Sequence, residues 1–287
     1  MNRRAFAQMM TAALANPGWI HARETVAKGV RFSFMLWALE IKAPFDRCVE
    51  IVAEAGYQGI ELTGEFQKWS PAERRRVMSR VRSLGLVVDS MSGIRAGFAV
   101  AEETEAFREQ FVEQLRYAKE LECPQVILLS GKRVAGATGQ RETAVENLKR
   151  AAEIAAKEGV EIVIEPIDLI ENPPIYLASV RDGFEIARAV NMPQVKVLYD
   201  FYHEQRSFGN LIEKLEKNVD LVGLVHVADV PGRHEPGTGE IDYVPIYRKL
   251  AELKYNRWIA MEYYPTEEPV ASLKKAKIEA QRAFAEV

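Results

Sequence analysis

Cysteine is scarce in this chain: Cys48 and Cys123 are the only two in 287 residues. Two thiols cannot build a disulfide framework or a cysteine-rich zinc site, so both are expected to be buried and free. Histidine is nearly as rare, at four residues. An excess of one charge is also missing, since 38 basic side chains stand against 41 acidic ones for a net −3. That balance excludes a broad positive field of the kind nucleic acid requires. The triplet Arg74-Arg75-Arg76 lies inside a polar helical pattern and reads as a solvated helix face. No apolar run approaches about 18 residues, so nothing reads as a membrane span. No Gly-x-Gly-x-x-Gly follows the first apolar run, which removes the usual dinucleotide fingerprint.

The first 28 residues stand apart. Asn2-Arg3-Arg4-Ala5-Phe6-Ala7-Gln8 precedes an alanine-rich, mildly apolar stretch, with small residues at Ala13-Leu14-Ala15 and Ala22. This resembles a twin-arginine export signal, and an amphipathic N-terminal helix is the plain alternative. A functional leader would place the protein in the periplasm, and otherwise the expectation is cytoplasmic. Residues 1–28 are therefore read as an extension, and 29–287 as one domain with no low-complexity linker.

From Arg31 onward, apolar runs of strand length alternate with stretches of helical period. Strands are expected at 31–37, 58–62, 86–91, 125–129, 160–165, 195–200, 221–227 and 257–262. Helices are expected at 44–55, 71–84, 104–122, 141–158, 178–190, 208–218, 244–254 and 268–285. Ser70-Pro71-Ala72-Glu73 supplies an N-cap, a proline for the first helical position and an acid near the positive helix end. Gly56, Gly85 and Gly159 follow helical runs and suit helix closure. The strands are rich in Val and Ile with little polar alternation, as when both faces are covered. Eight such repeats predict an α/β fold of the (β/α)8 TIM-barrel type, with a doubly wound open sheet as the competitor.

Four successive strand candidates in the second half close on metal-binding side chains: Glu165, Asp200, His226 and Glu262. Barrel enzymes carry their active sites at the C-terminal strand ends. One polar strand end is ordinary and can be satisfied by a loop amide. Four in a row point to one site. Three carboxylates and an imidazole suit Mn2+, Mg2+ or Co2+, with Zn2+ a further candidate.

Other polar residues gather on the following loops. Glu171 lies six residues beyond Glu165, and His203 three beyond Asp200. After His226 comes a long charged loop, Ala228 to Tyr243, stiffened by Pro231 and Pro236. Loops of that length in compact domains usually serve function. Within it the planar fork of Arg233 can hold an anionic or hydroxyl-rich ligand, whereas His234 and Glu235 admit a simple surface pair. Trp37, at the end of the first strand candidate, reads equally as pocket wall or core.

Several segments resemble hydroxypyruvate isomerase, a member of the xylose isomerase-like barrels that also include ketose 3-epimerases. They are Arg31-Phe32-Ser33, Gly56-Tyr57-Gln58-Gly59-Ile60-Glu61, Ile164-Glu165-Pro166-Ile167, and Arg233-His234-Glu235-Pro236 with Gly239-Glu240-Ile241. The resemblance runs over about residues 30 to 265 and is most specific in the last of these segments. It implies that Glu165, Asp200, His226 and Glu262 ligate one divalent metal ion. It further implies that Glu165 and Glu262 are the catalytic acid/base pair, and that Glu171, His203 and Arg233 bind substrate. One departure stands out: hydroxypyruvate isomerases tend to carry glutamine as the third ligand, where this chain has His226, as the sugar epimerases do.

The activity implied is isomerisation of a short hydroxy-carbonyl compound, of the hydroxypyruvate/tartronate-semialdehyde type, through an enediolate. A ketose 3-epimerase of tagatose or allulose type using the same site is the alternative, and a non-catalytic sugar-binding protein a third reading. The related apurinic endonucleases use three zinc ions and many more histidines than four. The expected partners are thus a small hydroxy-carbonyl or sugar substrate, with no nucleic acid and no membrane span. Many such barrels self-associate, which makes a homo-oligomer a candidate assembly.

Overall fold

A computed structural model describes residues 29–287; the twin-arginine-like leader lies outside the described residues. The apolar runs form eight parallel strands: β1 (Arg31–Met35), β2 (Gly59–Thr63), β3 (Val87–Ser92), β4 (Gln125–Leu129), β5 (Glu161–Glu165), β6 (Val195–Asp200), β7 (Val222–Val227) and β8 (Trp258–Met261). Each pairs with its neighbour in chain order, and β8 returns to β1 with Arg31 opposite Trp258 and Phe34 opposite Met261. That last pairing closes the sheet and removes the open-sheet alternative.

Ten α-helices are present among the described residues: α1 (Trp37–Glu40), α2 (Phe45–Glu54), α3 (Pro71–Ser83), α4 (Thr104–Glu120), α5 (Gln140–Glu158), α6 (Val180–Val190), α7 (Phe201–Ser207), α8 (Leu211–Glu216), α9 (Tyr243–Glu252) and α10 (Pro269–Ala285). The expected boundary signals operate. Ser70 Oγ accepts from Glu73 N at 3.2 Å with Pro71 opening α3, and Gly159 closes α5 at φ +70°. None of these helices is long and apolar enough to cross a membrane.

Three local expectations need correction. The first strand stops at Met35, because Leu36 and Trp37 already turn into α1. The stretch expected as one helix over 208–218 shortens to α8, and an extra helix, α7, precedes it. The cause is Asp200, whose Oδ1 accepts from Tyr202 N at 2.7 Å and His203 N at 3.2 Å, so a helix starts where β6 ends. Finally, Arg74 is not on a solvated face: it is buried, paired with Glu120 at 2.5 Å, and its guanidinium lies 5.1 Å from the Tyr117 ring. Arg76 does sit at the surface, on Asp46. Cys48 and Cys123 are both buried free thiols, as expected.

The strands alternate two apolar environments. One set, including Ile162, Ile164, Val197, Tyr199, Val225 and Ile259, packs outward in the large core shared with the helices. The other set, Ile127, Val163, Leu198, Leu224, Trp258 and Ala260, forms a separate cluster. Because side chains alternate faces along a strand, this second cluster fills the barrel lumen. Space there is tight. A Cβ on Gly223 would lie 2.6 Å from both Lys196 Cβ and Val163 Cγ1, so only glycine fits that position in β7.

Candidate metal and catalytic site

Adding two residues to each of four members of the lumen cluster gives the site. Val163, Leu198, Leu224 and Ala260 are followed at that interval by Glu165, Asp200, His226 and Glu262. The two-residue period therefore turns all four inward, one pleat above the apolar plug. One ligand atom from each lies within 4.8 Å of the others, and all four side chains are buried. Asp200 and His226 stand side by side in the β6–β7 register. Glu262 sits one residue past the last residue of β8, where its N–H still donates to Val227 O at 3.0 Å. Three converging carboxylates and an imidazole, shielded from water, form a donor set fitted to a hard or borderline divalent cation.

The charges around this group are unevenly balanced. His226 Nδ1 contacts Glu262 Oε2 at 2.7 Å, and its Nε2 contacts Glu61 Oε2 at 3.0 Å. Burial opposes a charged imidazole, but Glu61 and Glu262 outweigh it and hold His226 well above its ordinary pKa. Burial also works to raise Glu262, yet Arg233 and His226 hold its carboxyl below the usual carboxylate range. Arg233 Nη2 reaches Glu262 Oε1 at 2.5 Å, and Trp37 Nε1 donates to the same oxygen at 3.1 Å. Glu165 has no such neutralising partner. Burial pushes it up to about 8, opposed by the field of His226 and reinforced by the charge of Glu262.

The expected substrate-binding residues meet at the mouth. His203 Nδ1 is held by Asp168 Oδ2 at 2.7 Å, leaving Nε2 3.5 Å from Asp200 Oδ2. Glu171 pairs with Arg233 at 2.6 Å and with Arg206 at 3.2 Å. The Arg233 guanidinium lies between two aromatic rings, 5.2 Å from Trp37 and 5.0 Å from Tyr202. Trp37 is thus part of the site wall, and its neighbour Tyr264 packs edge-on against it.

Four contributors escaped the sequence reading. Asp168 orients His203, and Glu61 crosses the lumen to His226. Arg206 pairs with both Asp168 and Glu171. Asp229 is the fourth, fully buried beneath the long loop after β7. Its two oxygens accept four backbone N–H groups, from Val230, Gly237, Gly239 and Ile241, at 2.8–3.0 Å. The loop that presents Arg233 is wound around this one carboxylate. The signal available was the acid's position three residues beyond the strand-end His226, opening a loop rich in glycine. His234 and Glu235 do not pair with each other: His234 Nδ1 meets Tyr264 O, and Glu235 accepts from Thr266 and Ser272.

A family model described as xylose isomerase-like TIM barrel matches residues 49–283. The chain belongs to that family. Within it, the chain is 30% identical over 252 residues to hydroxypyruvate isomerase of Escherichia coli (strain K12), covering 85% of this chain and 97% of that one. It is 29% identical over 241 residues to 2-oxo-tetronate isomerase of Pectobacterium atrosepticum, covering 82% and 92%. Among solved structures it resembles a protein from Brucella melitensis described as AP endonuclease, family 2, at 26% identity and a TM-score of 0.78, over 85% and 96% of the two chains. The expected placement among hydroxypyruvate isomerase-like enzymes of this barrel family is met.

Proposed function

We propose that this enzyme is a divalent-metal-dependent isomerase that interconverts a short 2-oxo-3-hydroxy acid and its aldehyde isomer, such as hydroxypyruvate and tartronate semialdehyde. The observation that carries this reading is the convergence of Glu165, Asp200, His226 and Glu262 within 4.8 Å, with Arg233 pressed against the same cluster. Mn2+, Mg2+ or Co2+ fits that oxygen-rich set, and Zn2+ fits it less selectively. When bound, the cation supplies charge stabilisation to the substrate's carbonyl and hydroxyl oxygens.

The chain's own residues supply the proton transfers. Glu165 and Glu262 arrive from β5 and β8, three strands apart around the barrel, so they address a substrate lying between them from two sides. One carboxylate removes a proton from the hydroxymethyl carbon, and a carboxyl group returns one to the former carbonyl carbon. The hydroxyl proton passes between the two oxygens, so nothing else is consumed or released. His203, fixed through Nδ1 by Asp168, presents Nε2 to a substrate oxygen. Arg233, whose charge Glu262, Asp200 and Glu171 sustain against burial, offers its planar fork to the carboxylate of an oxo acid. That cation favours an acid over a neutral ketose, and the isomerase names of the two relatives agree with it.

A second reading, a ketose 3-epimerase, draws on His226 at the position where glutamine was expected. Incubation with hydroxypyruvate and with a ketohexose, each with Mn2+, separates the two. Conversion of hydroxypyruvate to its aldehyde isomer, lost in Glu165→Gln and in Glu262→Gln, is the expected result. Full activity in both variants on every converted substrate would overturn the two-glutamate mechanism.

A further inference from the structure

Glu61 lies on β2, which pairs with β1 and β3 and not with β7. Its carboxylate nevertheless crosses the lumen to His226, with Oε2 3.0 Å from Nε2. Both residues are fully buried. Among the described residues the other Glu61 oxygen, Oε1, has no hydrogen-bond partner, and the imidazole is the one group there that this side chain serves. Burying a carboxylate so far from water is costly unless the contact it makes is needed. The two imidazole nitrogens are thereby distinguished. Nδ1 faces Glu262, inside the group of four, and Nε2 faces Glu61, outside it.

A ring nitrogen can ligate a cation only with its lone pair free, and the other nitrogen's hydrogen bond decides which one that is. A carboxylate can only accept, so Glu61 requires a proton on Nε2, while the proton that Glu262 draws to Nδ1 is the one a cation would displace. We propose that Glu61 is a positioning residue which, by accepting Nε2–H across the barrel, fixes the ring orientation and tautomer that turn the Nδ1 lone pair toward Glu165, Asp200 and Glu262. The proposal rests on reading those four residues as a cation site. Substituting the amide would undo this selection, because a glutamine can donate to Nε2 and leave the proton on Nδ1.

The test compares the full chain with Glu61→Gln, Glu61→Asp and His226→Ala. Mn2+ affinity is read by competition with a chromophoric chelator, and imidazole 15N shifts are read on histidine-labelled protein loaded with diamagnetic Zn2+. The chain has only four histidines, which keeps that spectrum assignable. Glu61→Gln is expected to weaken Mn2+ binding by about 10–100-fold and to remove the protonated Nε2 signal of His226. Should Glu61→Gln not fold, Glu61→Asp, which keeps the charge but shortens its reach, is expected to weaken binding in the same direction. Wild-type Mn2+ affinity and an unchanged His226 spectrum in whichever variant folds, with binding lost in His226→Ala, would overturn this proposal alone. Equal Mn2+ affinity in the wild type and His226→Ala would overturn the cation reading, and this proposal with it.

Discussion

The two ends of the barrel carry the same kinds of side chain in different balances. At the strand starts, Glu161 Oε1 accepts from Arg257 at 2.5 Å and Gln125 at 2.6 Å, and the Arg31 guanidinium lies 4.2 Å from the Trp258 ring. The carboxylate there has its own cation, and both lie partly open to solvent. At the strand ends, Glu165, Asp200 and Glu262 converge with Glu61 close behind, against one arginine and two imidazoles, His226 and His203. A carboxylate with a dedicated cation is a structural element. Buried carboxylates gathered around a common point are a donor set that suits a divalent ion. The same residue type therefore means different things at the two ends, and the partner count separates them.

Four experiments press on that contrast, beginning with the largest effect. Glu165→Gln and Glu262→Gln are each expected to lower kcat by about 10^2–10^4-fold, whereas Glu161→Gln at the opposite end leaves turnover at the wild-type level. Steady-state assays on hydroxypyruvate with Mn2+ decide this, and a comparable loss in Glu161→Gln would erase the distinction. Next comes stability. Mn2+ at a hundred times its Kd is expected to add about 2.7 kcal/mol to unfolding free energy, reversibly on chelation. Glu161→Gln keeps that gain and His226→Ala loses it, as read from urea unfolding with and without the ion.

Third, Gly223→Ala forces a methyl into the strand-start layer and should destabilise by about 1–3 kcal/mol while Mn2+ affinity stays unchanged. A large drop in affinity would mean that the two layers are mechanically coupled. The smallest effect concerns an acid outside the cation site. Burial raises Glu65 to about 7, with the charges of Glu40 and Glu61 adding to it. In the unfolded chain it titrates near the ordinary glutamate value of 4.5, so the folded state retains a proton that the unfolded state has released. Stability should then fall as pH rises from 4.5 through 7 and level off above, by about 1–2 kcal/mol for a partly screened group. Glu65→Gln removes that slope and is the more stable protein at pH 8. Parallel pH–stability curves for the two proteins would reject the assignment.

The contrast also explains what the sequence displayed. The four strand-end residues were legible because strand periodicity and chain order suffice: each stands two residues after a lumen apolar residue, on four consecutive repeats. Arg233, Glu171 and His203 were legible as loop polars, and the resemblance to known isomerases gave them roles. Glu61 was visible only as part of a superfamily pattern, since its partner is 165 residues away and on a strand it does not pair with. Asp229 and Asp168 were hidden for a related reason. Their work is to collect amides or one imidazole nitrogen through tertiary geometry, which no spacing rule encodes. The helix at 201–207 was missed because a side-chain acceptor, the Asp200 carboxylate, rather than propensity sets that boundary.

The apolar plug formed by Ile127, Val163, Leu198, Leu224, Trp258 and Ala260 has a consequence for traffic. It closes the lumen beneath the carboxylates, so a molecule that meets them arrives from the loop end and leaves the same way. On the proposed reaction, a proton taken from carbon would have apolar side chains rather than water on its inner side. Retention of a carbon-bound deuterium label through turnover would then report how well that floor keeps water out.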